Sequence, residues 1–348
     1  MNKLFFILFV ITLQYSIAQQ TGQHAYSFLN LSNSARLTSL GGNMSSVFDG
    51  DISLVKTNPS LIHKSMHSGI LLNYVDYFAD IQFGHVTYSH TFEKYGSFAF
   101  GIQYVDYGTF TEADETGQTY GEFKAGDYAF IVGWGRELHP DFSIGANLKS
   151  IHSFYYENKS FALSVDVAGT YHNEEKFFST SLVVKNIGRQ IITYTDGVRE
   201  SLPFEIQLSA SKRLEHVPLR FHALFHNLQK YDITYNDPNV GPKIDPLTGE
   251  EITESKISDI SNKLMHHVVF GVEFMPSKNF SVRLGYNYHR RKEMLVDTKL
   301  STVGISWGFG FRVSKFQFSY ARSAYHLAGS PNVITLTTAI SDFVNTLD

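Results

Sequence analysis

From residue 69 to residue 341 the chain alternates apolar with polar side chains in one segment after another, each bounded by Gly, Pro, Asn, Asp or charge. Across 161–171, Phe161, Leu163, Val165, Val167 and Tyr171 fall on one side, and Ala162, Ser164, Asp166, Ala168 and Thr170 on the other. A strand sends successive side chains to opposite faces, so this segment is a strand with one oily and one wet face. Fourteen segments fit: 69–77, 81–92, 96–109, 124–138, 142–156, 159–173, 178–187, 204–214, 218–227, 266–276, 280–290, 301–313, 315–324 and 332–341. Most are near the ~9–11 residues of a tilted membrane-crossing strand. A soluble β-sandwich alternates too, but needs about half as many strands around its core. The expected fold is therefore an all-β, 14-stranded antiparallel transmembrane β-barrel.

Other features agree. Past residue 18 no stretch approaches the ~18 unbroken apolar residues of a spanning helix, which leaves a closed barrel as the way through lipid. The 29 Phe and 20 Tyr suit a lipid-facing band with interfacial girdles. With 29 basic against 33 acidic residues, the chain has a formal net charge of −4, which argues against a nucleic-acid partner. There is no cysteine, hence no disulfide, thiolate metal site or Cys nucleophile. The connections after segments 2, 4, 6, 8, 10 and 12 are short, and those after 3, 7, 9, 11 and 13 are generally longer. Such parity puts short turns on the periplasmic side and long loops outside.

The first residues read as a cleavable leader over 1–18: Lys3, then an apolar run from Leu4 to Ile11, then Ser16-Ile17-Ala18 before Gln19. Residues 19–68 break the strand pattern. Pro59 would interrupt a strand, and Gly41-Gly42 admits positive φ. Leu29, Leu31, Leu37, Leu40 and Leu61 make the stretch too apolar for a solvated tail. It is expected to fold into the lumen as a hatch or plug, ahead of a barrel over 69–341 and a short tail over 342–348.

Three motifs in this stretch carry a resemblance. Phe28-Leu29-Asn30-Leu31-Ser32-Asn33-Ser34-Ala35-Arg36, followed by Leu40-Gly41-Gly42 and Asn58-Pro59-Ser60, resembles the PorV/PorQ family of Bacteroidota, itself similar to the FadL-type fatty-acid transporters. The resemblance covers nearly the full length. It implies fourteen strands with an N-terminal hatch, in which Ser34, Ala35, Arg36, Gly41, Gly42, Asn58 and Pro59 are structural hatch residues. It also implies a non-enzymatic outer-membrane component of the type IX secretion system, anchoring a cell-surface attachment complex. The implied partners are a PorZ-like surface protein and, through it, a PorU-like sortase and a PorV-like barrel, beside outer-membrane lipid and lipopolysaccharide. A departure is the C-terminus, where Phe343 is the nearest aromatic to an end that many such barrels close on one.

Elsewhere the chemistry is sparse, and no cofactor is expected. Gly304-Ile305-Ser306-Trp307-Gly308 matches G-x-S-x-G, but sits inside an alternating segment, whereas a nucleophile elbow needs a strand-to-helix turn. His266 and His267, as strand neighbours, would point apart and not chelate one ion. Asp49-Gly50-Asp51 and the acids of 112–115 lack the full EF-hand spacing and read as solvated loop acids. Residues 228–265 form the longest connection, stiffened by Pro238, Pro242 and Pro246. Tyr231, Tyr235 and Asp237 are its candidate partner contacts, because Tyr combines apolar area with a hydroxyl. The competing reading is a FadL-like transporter of small hydrophobic compounds, which shares the fold and so cannot be separated by fold alone.

Overall fold

The structure is a computed structural model, and it describes residues 24–77, 81–234, 255–294, 302–324 and 329–344. The expected leader, Tyr235, Asp237 and the last four residues of the tail lie outside the described residues. Fourteen strands run β1 Gly69–Asp76, β2 Gln82–Phe92, β3 Gly96–Ala113, β4 Thr119–His139, β5 Phe142–Tyr155, β6 Asn158–Asn173 and β7 Phe178–Ile192. They continue as β8 Glu205–Arg213, β9 Leu219–Phe225, β10 Val268–Ser277, β11 Phe280–Asn287, β12 Ile305–Val313, β13 Phe316–Ser323 and β14 Asn332–Ala339. Each pairs antiparallel with its chain neighbours. β14 pairs with β1 from Gly69↔Ala339 to Asp76↔Asn332, so the sheet closes with no free edge.

The two faces separate as the alternation requires. Phe100, Ile102, Leu148, Leu208, Phe221, Leu284 and Trp307 point out and are exposed, while Gln103, Asn147, Gln207, His222 and Ser306 point in and are buried. Exposed aromatic rings also meet across strands: Phe311 lies 5.5 Å from Phe318, and Trp307 lies 5.8 Å from Tyr320. In water an apolar belt of this extent would be a liability. Against acyl chains it is the stable surface.

Most strand ends fall within a few residues of expectation; β7 runs five residues past its expected end and β12 starts four residues late, and three further exceptions change the local structure. β3 and β4 run on past their expected ends as one long hairpin, tied at the tip by Asp114. Its Oδ1 accepts from Thr116 N, Thr116 Oγ1 and Gln118 N, and its Oδ2 from Tyr120 Oη. These donors favour the charged form and hold its pKa at about 2, below the ordinary 3.8. A depressed carboxyl pKa stabilises above the unfolded value and loses that effect as pH falls through the folded one. The tip should therefore stay ordered above about pH 4 and loosen as pH approaches about 2. Amide shifts of Thr116 and Gln118 report this; a midpoint near 4 would contradict it.

The second exception is a helix, Lys256–His266, where a loop and the start of a strand were expected. Ser255 caps it by accepting from Ser258 N. His266 therefore ends a helix rather than starting a strand, and the reading of His266 and His267 as opposed strand neighbours is corrected. The third is a short helix, Tyr288–Glu293, capped by Asn287, which ends β11 three residues early. Val303, inside the expected segment 301–313, is instead buried in the turn before β12.

The N-terminal segment from 24 to 68 is compact and largely buried. Its helix Ala35–Ser39 packs on β11 to β14, and its 3-10 turn Pro59–Leu61 packs on β4 to β6, so it reaches opposite walls of the barrel. One apolar cluster is internal to it: Leu37, Leu40, Met44, Val47, Leu54 and Leu61. A second, with Tyr26, Phe28 and Leu29, packs in the long-loop half of the barrel against Val75, Phe83, Val105, Ile131, Ile151 and Val333. Two close approaches need glycine. A Cβ on Gly145 would collide with the Pro59 carbonyl and Ser60 N, and one on Gly285 with Leu40 C and Gly41 N.

Candidate functional site

Local sequence sets the segment's turns. Ser34 caps Ala35–Ser39, its Oγ accepting from Leu37 N at 3.2 Å. Gly41 and Gly42 follow at φ +99° and +103°, and Gly42 N donates to Leu37 O at 2.9 Å, closing the helix end. Asn58 caps the next turn, with Pro59 at its first position. Asn58 Oδ1 accepts from Ser60 N (2.9 Å) and Ser60 Oγ (2.6 Å), and its Nδ2 donates to Ser45 O (2.6 Å) and Thr170 Oγ1 (3.0 Å). Asn58→Ala removes a buried hub that joins the segment to β6, and should cost about 1–3 kcal/mol in thermal unfolding. Asn58→Asp, which keeps the cap oxygen, should recover part of that.

The centre of the short-turn half is ionic. Arg36 presents Nε and Nη2 to Glu273 Oε1 and Oε2, both at 2.9 Å, in a two-point pair. Its Nη1 reaches Asp51 Oδ2 at 2.8 Å, and its Nη2 reaches Asp49 Oδ2 at 2.8 Å. From the wall, Arg220 Nη1 bonds Asp49 Oδ2 (2.8 Å) and Glu273 Oε2 (3.1 Å), Arg283 Nε bonds Glu273 Oε1 (2.9 Å), and His222 Nε2 approaches Glu273 Oε2 (3.1 Å). Three guanidinium groups balance three carboxylates. Glu273 is wholly buried, while the Asp49 side chain keeps 27% exposure at the mouth although protein rings it. Loss of solvent works against ionising Asp49; Arg36 and Arg220 more than reverse that and hold it below the usual carboxylate range. Asp49 and Asp51 are thus clamp partners, not solvated loop acids as their spacing suggested.

A second polar anchor joins the segment to β5, β6 and β7. Lys149 Nζ pairs with Asp166 Oδ2 at 2.7 Å and donates to Asn186 Oδ1 at 2.8 Å. Asn147 Nδ2 reaches Lys56 O at 3.2 Å, and Lys56 Nζ donates to Leu31 O at 2.8 Å. Burial, then the Lys149 and Lys185 charges, hold the Lys56 ammonium well below the ordinary lysine range.

At the short-turn mouth a cavity of about 570 Å³ opens beside the clamp, lined by Arg36, Asp49, Glu273, Arg283 and the β8–β9 and β10–β11 turns. At the other end the Tyr194 ring stands 6.2 Å from that of Tyr26 and 5.7 Å from that of Tyr155. Ser306 pairs with Gly285 and Ser323 inside the β11–β12–β13 ladder, away from any strand-to-helix turn. Of the loop candidates, Tyr231 is described: it is 69% exposed, and its carbonyl lies 3.3 Å from His267 Nε2. The sequence reading named Arg36 for its motif, not for this cluster, and missed Glu273. Its signal was an acid at an inward position of β10, beside inward Arg220 and Arg283 on the neighbouring strands.

No family model matches the chain, and no curated protein does. Among solved structures, the Pseudomonas putida toluene transporter TodX overlays on 90% of this chain and 99% of its own, at 10% identity and a TM-score of 0.52. The Ralstonia pickettii toluene transporter TbuX covers 89% and 99%, at 8% identity and a TM-score of 0.50. A Pseudomonas aeruginosa FadL homologue also aligns, over 88% of this chain and 97% of its own, at 12% identity and a lower TM-score of 0.45. At such identities the likeness is one of fold alone: a closed 14-stranded antiparallel barrel.

Proposed function

We propose that this chain is an outer-membrane barrel, plugged by its residues 24–68, that passes small hydrophobic compounds. The observation that carries the reading is the apolar lining of the long-loop half of the lumen. There Val75, Phe83, Val105, Ile131, Ile151 and Val333 face inward against Tyr26, Phe28 and Leu29. A porin for polar solutes keeps its interior polar; an apolar lining desolvates and accepts an oily solute. Support comes from the two overlaid barrels, both described as toluene transporters. The test is uptake of labelled toluene and of a long-chain fatty acid by cells displaying the chain, against cells with an empty vector. Faster entry of either supports the reading, and equal rates for both remove it.

A second reading is favoured by one surface. The helix Lys256–His266 exposes Ile257 (78%), Ile260 and Leu264 on one stripe at the long-loop end. An apolar stripe outside the barrel suits a protein partner, which accords with the PorV/PorQ resemblance and a non-enzymatic anchoring role in type IX secretion. Gentle extraction of the tagged protein from its native membrane, followed by mass spectrometry, separates the two. Recovery of PorZ- and PorU-like proteins favours anchoring; a lone barrel carrying a hydrophobic molecule favours passage.

A further inference from the structure

We propose that the short-turn mouth carries a docking groove for a basic peptide segment of a periplasmic protein. A groove of about 660 Å³ opens there between the β4–β5 and β6–β7 turns. The end of β4 and the turn after it bring Glu137 and Asp141 to its wall, and the turn after β6 brings Glu174 and Glu175. The lining holds no Lys or Arg, and none of the four carboxylates is in an ion pair among the described residues. Four like charges in one groove, without a counter-charge, draw cations to it.

Exposed acids are by themselves an ordinary solvated rim; His172 supplies the independent observation. It is 4% exposed, near the end of β6, and lines the groove. Its ring stacks on Phe48 at 3.7 Å, and His63 stacks on the same Phe48 ring at 4.1 Å. His63 uses both nitrogens, on Leu61 O (2.6 Å) and Ser65 Oγ (2.8 Å). His172 uses neither among the described residues, and its Nδ1 is sealed from solvent. That leaves Nε2 to meet a donor in the groove, where a neutral imidazole accepts from an ammonium or guanidinium N–H. A buried acceptor without a donor costs free energy, and such a cation removes that cost. Two observations favour a peptide over a metal ion or a small amine. Among the described residues no three His, Asp or Glu gather as a metal shell. A second cavity of about 300 Å³ adjoins the groove: Phe48 and His172 line both, and Val47, Phe177 and Phe178 add apolar surface. A segment with basic residues beside an apolar one fills both, its charges on the two turns and its apolar side chain among the phenylalanines.

This inference does not depend on passage through the barrel. The purified full chain in detergent is titrated calorimetrically with the blocked tripeptide Arg-Leu-Arg, and in parallel with blocked Glu-Leu-Glu, arginine amide and calcium chloride. Arg-Leu-Arg should bind one-to-one and weaken as salt rises, because most of its contacts are exposed ion pairs. Glu174→Gln/Glu175→Gln, on an exposed turn, should weaken it about tenfold while the melting temperature holds. His172→Phe, which keeps a ring on Phe48 but loses the acceptor, should weaken it about fivefold. If His172→Phe does not fold, the double variant carries the test alone. Absence of Arg-Leu-Arg binding to the wild type, unchanged affinity in a variant that folds, equal affinity for Glu-Leu-Glu or arginine amide, or tighter binding of calcium each overturns the docking groove. None of these outcomes bears on uptake of toluene.

Discussion

Replacing Glu273 by Gln should destabilise the folded barrel by about 3–5 kcal/mol, the largest loss expected of any single side chain here. A buried ion cluster contributes little net stability when whole, because desolvating its members offsets their attraction. Breaking it is different. Gln keeps the volume but removes the one charge that Arg36, Arg220 and Arg283 share. Asp49 and Asp51 remain for Arg36 and Arg220, whereas Arg283 is left with no carboxylate within pairing distance among the described residues. The readout is the temperature at which the compact folded band is lost on a detergent gel, together with trypsin cleavage at Arg36. Glu215→Gln, on the exposed β8–β9 turn, should shift that temperature by no more than about 0.5 kcal/mol would. Equal melting of Glu273→Gln and wild type would mean that the cluster orients the segment without stabilising it.

The second large effect should come from two methyl groups. Gly145→Ala and Gly285→Ala together put Cβ atoms into the backbones of Pro59–Ser60 and Leu40–Gly41. Main chain cannot swing aside as a long side chain can, so the N-terminal segment should lose both walls at once. The barrel's own ladder does not need either methyl absent, so strands should still close. The expected result is a folded barrel that conducts ions in planar bilayers and is cut by trypsin near Lys56, where the wild type is tight and resistant. Gly169→Ala is the control, since its Cβ would make only an ordinary 3.5 Å contact with the Phe142 ring. A double variant as tight as wild type would show that the segment does not close the lumen.

The strands were legible in the sequence because each has two different solvents, lipid on one side and packed lumen on the other, and a period of two records that directly. Where a single environment surrounds the chain, the record weakens. The helix Lys256–His266 was read as loop and strand although Ile257, Ile260 and Leu264 keep helical spacing and Ser255 offers a cap. Its low mean apolarity hid three residues on one stripe. Tyr288–Glu293 failed for another reason: Tyr286 and Tyr288 continue the strand alternation past the point where Asn287 turns the chain. The clamp was half legible. Arg36 stood out in its motif, but its partners Asp49 and Asp51 lie 13 and 15 residues away and Glu273 lies 237 away, and only packing brings them together. Inward charges of both signs on β9, β10 and β11 were the available signal, since charge within spanning segments persists only when paired.

The seam of the barrel also sets an order of assembly. Asn73 on β1 and Thr335 on β14 are register partners across the closing ladder, and Thr335 Oγ1 donates to Asn73 Oδ1 at 2.7 Å. The same Thr335 oxygen accepts from Ala35 N at 2.7 Å, at the first turn of the segment's helix. The docking point for residues near the start of the chain is therefore completed by the strand that arrives last. Until β14 has zipped onto β1, the segment's helix lacks part of its seat, and the ring is an open sheet around it. The segment's seat is complete only once the wall has closed, so a nascent chain stalled before its final strand would lack this docking point.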